Sequence, residues 1–343
     1  MNTGRGREDA RTPAGVIGCL TAGFEMLTQN LQVVALPVVL DLILWLGPRL
    51  SIAPLLNGFA RILGRQPAPD AQMAAQMEQA MELLRQFAGR FNLLSVMGGV
   101  PMFQVPSLLA RRAPVAGSPL GSPQVLSISS ILALFPWWTA LGVLGLILGF
   151  LYLNEIASQV ENGVDGLVQR DGNPGGVETG RTDEGWRDGL LKLARFLSFA
   201  FSLVLIGSVV LPLWILMVAL GATVAEPLGV LLWVAGVGMF SYAALHLLFV
   251  IPSLLLGGRP LLGAIGESFI LSHVSLSSVF GFVLLALVIY EGLGYAWSLP
   301  NSDSWAMLIG ILGNAFVATG LTGAAFVFYR DRVLVGQQMM KNG

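Results

Sequence analysis

Five long apolar runs stand out along the chain, near 131–153, 196–220, 229–256, 279–299 and 305–329, and a sixth begins at Leu31 and continues towards Leu56. About 20 apolar residues at about 1.5 Å each match a hydrocarbon core of about 30 Å, so each run predicts a membrane-spanning helix. Only Pro300–Ser304 separates the last two, which leaves room for a turn and makes them a hairpin. Elsewhere the apolar residues are spaced as on one face of a helix. Val16, Ile17, Leu20, Phe24 and Leu27 alternate with Thr21, Glu25, Thr28 and Gln29, and Leu261, Leu262, Ile265 and Phe269 repeat the pattern. Both stretches predict helices lying in the membrane interface.

Between the first two spans, residues 66–112 are expected to form an amphipathic and re-entrant segment on the extracytoplasmic side. Asp70, after Pro67-Ala68-Pro69, reads as a helix N-cap, and Met73, Met77, Met81 and Leu84 then make a stripe opposite Gln72, Gln76, Gln79 and Glu82. Asn92–Ala110 is apolar, yet Gly98-Gly99, Pro101 and Pro106 oppose a regular helix. Ala113–Ser130 is expected to be a loop. Residues 155–190, rich in Asn-Gly and Asp-Gly pairs, are expected to be a cytoplasmic linker, and residues 1–13 a disordered cytoplasmic tail.

Composition supports this reading. Of 343 residues, 55% are hydrophobic and only 11% charged, where soluble domains carry about 25% charged residues. The expected fold is all-α: a polytopic bundle of six transmembrane helices with three interfacial helices. No nucleic-acid footprint appears, and the single cysteine, Cys19, rules out an internal disulfide framework.

Basic residues set the orientation. Arg170, Arg181, Arg187, Lys192 and Arg195, then Arg259, then Arg330, Arg332 and Lys341 fall on one side of the later spans, and none falls in the short loops near Glu226 and Asp303. By the positive-inside rule the loaded side is cytoplasmic, with both termini, including Arg5, Arg7 and Arg11, on that side.

Leu36-Pro37-Val38-Val39-Leu40-Asp41, Leu44-Trp45-Leu46-Gly47-Pro48-Arg49, Phe249-Val250-Ile251-Pro252, Glu267-Ser268, Gly313-Asn314-Ala315 and Phe328-Tyr329-Arg330-Asp331-Arg332 carry a resemblance. With these motifs the chain resembles uncharacterised bacterial multi-pass membrane proteins, themselves similar to the membrane domain fused to some glycerophosphodiester phosphodiesterases. The resemblance implies a helical bundle in a bacterial inner membrane and supplies no catalytic residues.

Candidate chemistry lies in polar groups within the spans, because an ionisable residue at the bilayer centre costs about 2.5–3.5 kcal/mol on insertion scales. Asp41 lies about 15 Å beyond Leu31 and Glu291 about 18 Å beyond Val279, while Asn314 reaches about the same depth from the opposite face. A converging Asp41, Glu291 and Asn314 would share a proton or hold a cation, as in an ion-coupled transporter or small channel. The preferred alternative is that each acid is either neutral or hydrogen-bonded to backbone and to Asn314, joining helices. His246 is expected to be packed or pore-facing, and His273 solvent-facing. Met73, Met77 and Met81 are spaced to offer soft ligands to Cu(I), but methionine is also an ordinary filler of apolar faces. Gly145 and Gly149, and the small residues Ala315, Thr319 and Gly323, mark close helix contacts.

The functional expectation is a non-enzymatic accessory, scaffolding or lipid-contacting subunit of a membrane assembly, with no cofactor and no metal. Its expected partners are membrane lipids together with partner membrane proteins or further copies of itself, and no nucleic acid. The alternative is the transporter using Asp41 and Glu291.

Overall fold

The computed structural model describes residues 15–65, 70–100, 102–112, 117–169 and 183–342. The expected tail 1–13 and the residues Pro67-Ala68-Pro69 lie outside the described residues. Twelve α-helices account for most of the rest: α1 Val16–Gln29, α2 Ala35–Leu46, α3 Ala53–Leu63, α4 Ala71–Arg90, α5 Leu108–Arg112, α6 Ile131–Gln169, α7 Asp183–Val224, α8 Glu226–Leu247, α9 Val250–Leu255, α10 Leu261–Val274, α11 Leu276–Trp297 and α12 Met307–Asn342. Two three-residue strands, β1 Arg49–Ser51 and β2 Val125–Ser127, pair in parallel with Arg49 opposite Val125. The chain is an all-α, multi-pass membrane protein. Among the described residues, five helical stretches are long and apolar enough to cross a membrane, or six if the bent pair α1 and α2 forms one span.

Three expectations are corrected. The first span does not run from 31 to 56. Its helix α2 ends at Leu46, where Gly47 turns to an extended conformation before Pro48, because a proline disfavours helical backbone in the residue before it. Pro37 lies in the first turn of α2, where an amide proton has no helical partner anyway, so it opens this helix instead of breaking one. The expected linker 155–190 is also largely helical: α6 continues to Gln169 and α7 begins at Asp183, leaving 170–182 outside the described residues. The expected loop 113–130 contributes β2.

Among the described residues of 92–110 no helix reaches spanning length. They form a 3-10 turn at Leu93–Met97, irregular chain and then the start of five-residue α5. Asp70 caps α4 as expected, its carboxylate accepting from the Met73 amide at 2.7 Å.

The chain divides into two compact units: Met1–Gln29, Leu153–Val288 and Gly320–Gly343 in one, Asn30–Tyr152 and Ile289–Thr319 in the other. In the first unit α7 and α8 form a hairpin. Trp214 donates from Nε1 to the Leu232 carbonyl at 3.2 Å and lies where any side chain on Gly236 would have to go. Gly23 on α1 meets the backbone of Ala324 on α12, so closely that a Cβ would fall 2.4 Å from the Ala324 nitrogen. Phe249, Phe282 and Phe328 stack in the core of this unit. In the second unit Trp45 donates to the Ser302 carbonyl at 2.7 Å and meets Trp305 edge-on, tying the end of α2 to the turn between α11 and α12.

The glycines of α6 have an unexpected neighbour. Gly145 and Gly149 face Met97, Phe103 and Gln104 and not another spanning helix: a Cβ on Gly149 would lie 2.1 Å from the Phe103 carbonyl oxygen, and one on Gly145 2.7 Å from Met97 backbone. Close approach of irregular chain to a span is tolerable in a membrane when protein covers its polar backbone.

Candidate functional site

Asp41 is fully buried on α2. Its carboxylate accepts from the Ser107 hydroxyl and from the amides of Leu108 at 3.0 Å and Leu109 at 3.1 Å. Those two amides open α5 and have no helical acceptor of their own, so Asp41 completes the start of that short helix from 67 and 68 residues away in sequence. Ser107 adds a second link, its Oγ accepting from the Ala110 amide at 2.9 Å.

Four residues on, the same helix supplies the partner of the second acid. Arg111 donates from Nη2 to Glu291 and its guanidinium lies 3.9 Å from the centre of the Tyr290 ring. The arginine side chain is 15% exposed and the glutamate 51% exposed, so the cation is the more deeply placed partner. Asp41 and Glu291 are thus connected through α5, and no hydrogen bond joins them directly.

Asn314 on α12 is buried, and its Nδ2 has no hydrogen-bond partner among the described residues. It bonds to neither acid, which corrects the expectation that it would join them. All three groups lie within about two helical turns of one end of their helices. Asp41 is about 8 Å from Leu46, Glu291 about 9 Å from Trp297 and Asn314 about 11 Å from Met307. That end is the one where Trp45 meets Ser302, so the shared level expected from sequence is off-centre.

Beside this joint is a cavity of about 180 Å³ whose lining includes Arg49, Arg90, Arg111, Asn92 and Ser95, with Phe87 and Phe91 among its apolar members. Asn92 accepts through Oδ1 from the Leu50 amide at 3.1 Å and from the Leu94 amide at 3.2 Å. Burial lowers the Arg49 pKa from its ordinary value.

In the other unit, Glu267 on α10 accepts from the Ser253 hydroxyl, from the Tyr329 hydroxyl at 2.9 Å and from Arg259 Nη2 at 3.2 Å. His246 is buried among Tyr242 and Phe269 rings with Nδ1 2.9 Å from the Tyr242 carbonyl, a packed histidine, and His273 is exposed. Met81 lies against Gly64 just beyond α3, so part of the methionine stripe is packing surface. Among the described residues no group of three or more His, Cys, Asp or Glu is placed to hold a metal ion.

Sequence reasoning missed Arg111 as a site residue and gave Ser107 no role. One signal was present: an arginine closing an apolar re-entrant stretch needs an anionic partner, and Asp41 and Glu291 are the acids that the sequence places inside spans. Compared with protein families, with curated proteins and with solved structures, the chain matches none, so a reading of its function rests on this geometry.

Proposed function

We propose that the protein is a non-enzymatic, lipid-contacting membrane protein that serves as an accessory or scaffolding subunit of a membrane assembly. We place it in a bacterial inner membrane with both termini cytoplasmic, as the distribution of arginines and lysines favours. The observation that carries the reading is that both candidate acids are committed to structural bonds. Asp41 closes the start of α5 with three donors and Glu291 neutralises Arg111 at its end. A proton-relay acid has to exchange its partners during turnover, whereas these fasten a re-entrant segment to spanning helices.

The extent of uncovered apolar surface supports the lipid-contacting part. None of the most apolar stretch of α7 is buried, against 72% of the corresponding stretch of α12. A surface as apolar as lipid tails has no need of a protein cover.

An ion-coupled transporter using Asp41 and Glu291 is the second reading. The observation in its favour is the buried, unpaired Nδ2 of Asn314, since a polar atom without a partner is uncommon in a packed interior.

Liposomes containing the purified protein separate the two. The accessory reading predicts no proton or cation flux from either the wild type or Glu291→Gln, and stoichiometric partner proteins or retained lipids on purification at native expression level. Flux that Glu291→Gln abolishes at unchanged folded yield would establish the transporter.

A further inference from the structure

We propose that the cavity lined by Arg49, Arg90 and Arg111 binds the phosphate group of an anionic ligand, and that this ligand is a membrane phospholipid. The lining is rich in hydrogen-bond donors and, among the described residues, contains no carboxylate. Arg111 is partly neutralised by Glu291, but its buried Nη1 has no hydrogen-bond partner among the described residues. Arg49 and Arg90 have no carboxylate partner among the described residues, so two cationic charges remain uncompensated after Glu291 is set against Arg111.

Neutral donors complete the set. The Asn92 oxygen is occupied by two backbone amides, which fixes the amide's orientation and leaves its NH₂ for a ligand. The Ser95 hydroxyl is a further donor in the lining. Guanidinium groups match phosphate oxygens in a planar, paired geometry. The volume of about 180 Å³ far exceeds the about 10–15 Å³ that a single water requires, so the cavity has room for a group larger than water.

The rim favours a lipid source over a soluble one. Phe87 on α4 is 52% exposed, and Phe87 and Phe91, whose rings are 5.1 Å apart, both line the cavity. A ligand with a phosphate and an attached apolar body satisfies both the guanidiniums and these rings, whereas a free phosphate satisfies only the former.

The inference rests on the lipid-contacting reading above, and its test fails separately from that reading. The full-length protein in mild detergent is titrated with phosphatidylglycerol, phosphatidylcholine or inorganic phosphate. Bound lipid is counted by native mass spectrometry and the apparent unfolding temperature is followed. Wild type is expected to retain phosphatidylglycerol over phosphatidylcholine and to gain thermal stability from it. Arg49→Gln with Arg90→Gln is expected to weaken that binding by roughly tenfold or more, as loss of a charge-assisted hydrogen bond implies.

An equal, arginine-dependent shift with inorganic phosphate would support the phosphate site and overturn the lipid as its source. Phosphatidylglycerol binding unchanged in the double variant would overturn the site while leaving a general lipid-contacting role intact. Should the double variant not fold, Arg90→Gln alone decides, because Arg90 is exposed and has no ion-pair partner among the described residues: unchanged binding there overturns the site. Proton flux dependent on Glu291 would defeat the lipid-contacting reading without touching the phosphate titration.

Discussion

In the unit of Asn30–Tyr152 and Ile289–Thr319, charged side chains hold irregular chain in place: Asp41 caps α5, and Arg111 at the far end of that helix pairs with Glu291. In the unit of Met1–Gln29, Leu153–Val288 and Gly320–Gly343, polar groups sit between regular helices, where Ser268 donates to the His246 carbonyl at 2.6 Å and Ser272 to the Leu245 carbonyl at 3.1 Å. The difference follows from backbone demand. Irregular chain within an apolar surrounding exposes amides that only a side chain can satisfy, and a carboxylate accepts several of them at once. In the other unit the free carbonyls at the end of α8 ask for donors, which the Ser268 and Ser272 hydroxyls supply, while Glu267 ties Ser253, Tyr329 and Arg259 together.

Disabling the irregular segment should therefore cost more than disturbing the helices. Asp41→Ala orphans three buried donors at about 1–3 kcal/mol each, and should leave little folded protein by size-exclusion chromatography in detergent. Gly149→Val should follow, losing at least about 1–3 kcal/mol to overpacking, because its Cβ meets the Phe103 carbonyl oxygen. In the other unit, Glu267→Gln replaces an acceptor of two hydroxyls and Arg259 with a group that also donates. It should lower the midpoint of thermal unfolding by an amount corresponding to about 1–3 kcal/mol. Smallest of all, Ile206→Leu on the uncovered face of α7, where Ile206 is 57% exposed, should change that midpoint by no more than about 0.5 kcal/mol. A large effect of Ile206→Leu would show that a protein, and not lipid, covers that face.

Legibility from sequence follows the same division. The runs that became α6, α7, α8, α11 and α12 were visible because a span is a local property, about 20 apolar residues in a row. Asp70 was legible as a cap for the same reason, since its partner Met73 is three residues away. Local pattern failed where a short-range signal was overruled or a partner was distant. The Asn-Gly and Asp-Gly pairs at 162–166 suggested turns, yet the helix of α6 passes through them. The first span was overextended because Gly47-Pro48 lies in an apolar setting that continues to Leu56. Asp41 and Glu291 stand out in the sequence as ionisable residues inside apolar runs, but their partners lie 66 and 180 positions away, and no spacing rule reaches that far. Asn314 shared their level and not their bonds.

The central claim, that the intramembrane acids are joints of the fold, is tested most directly by reversing one charge pair. Folded yield and unfolding midpoint are measured for Arg111→Glu, Glu291→Arg and the two together. The account predicts that each single reversal lowers both, by about 1–3 kcal/mol for breaking a partly buried pair, and that the double reversal recovers a substantial part. Single variants that fold as well as the wild type, with no recovery left to measure in the double variant, would contradict it.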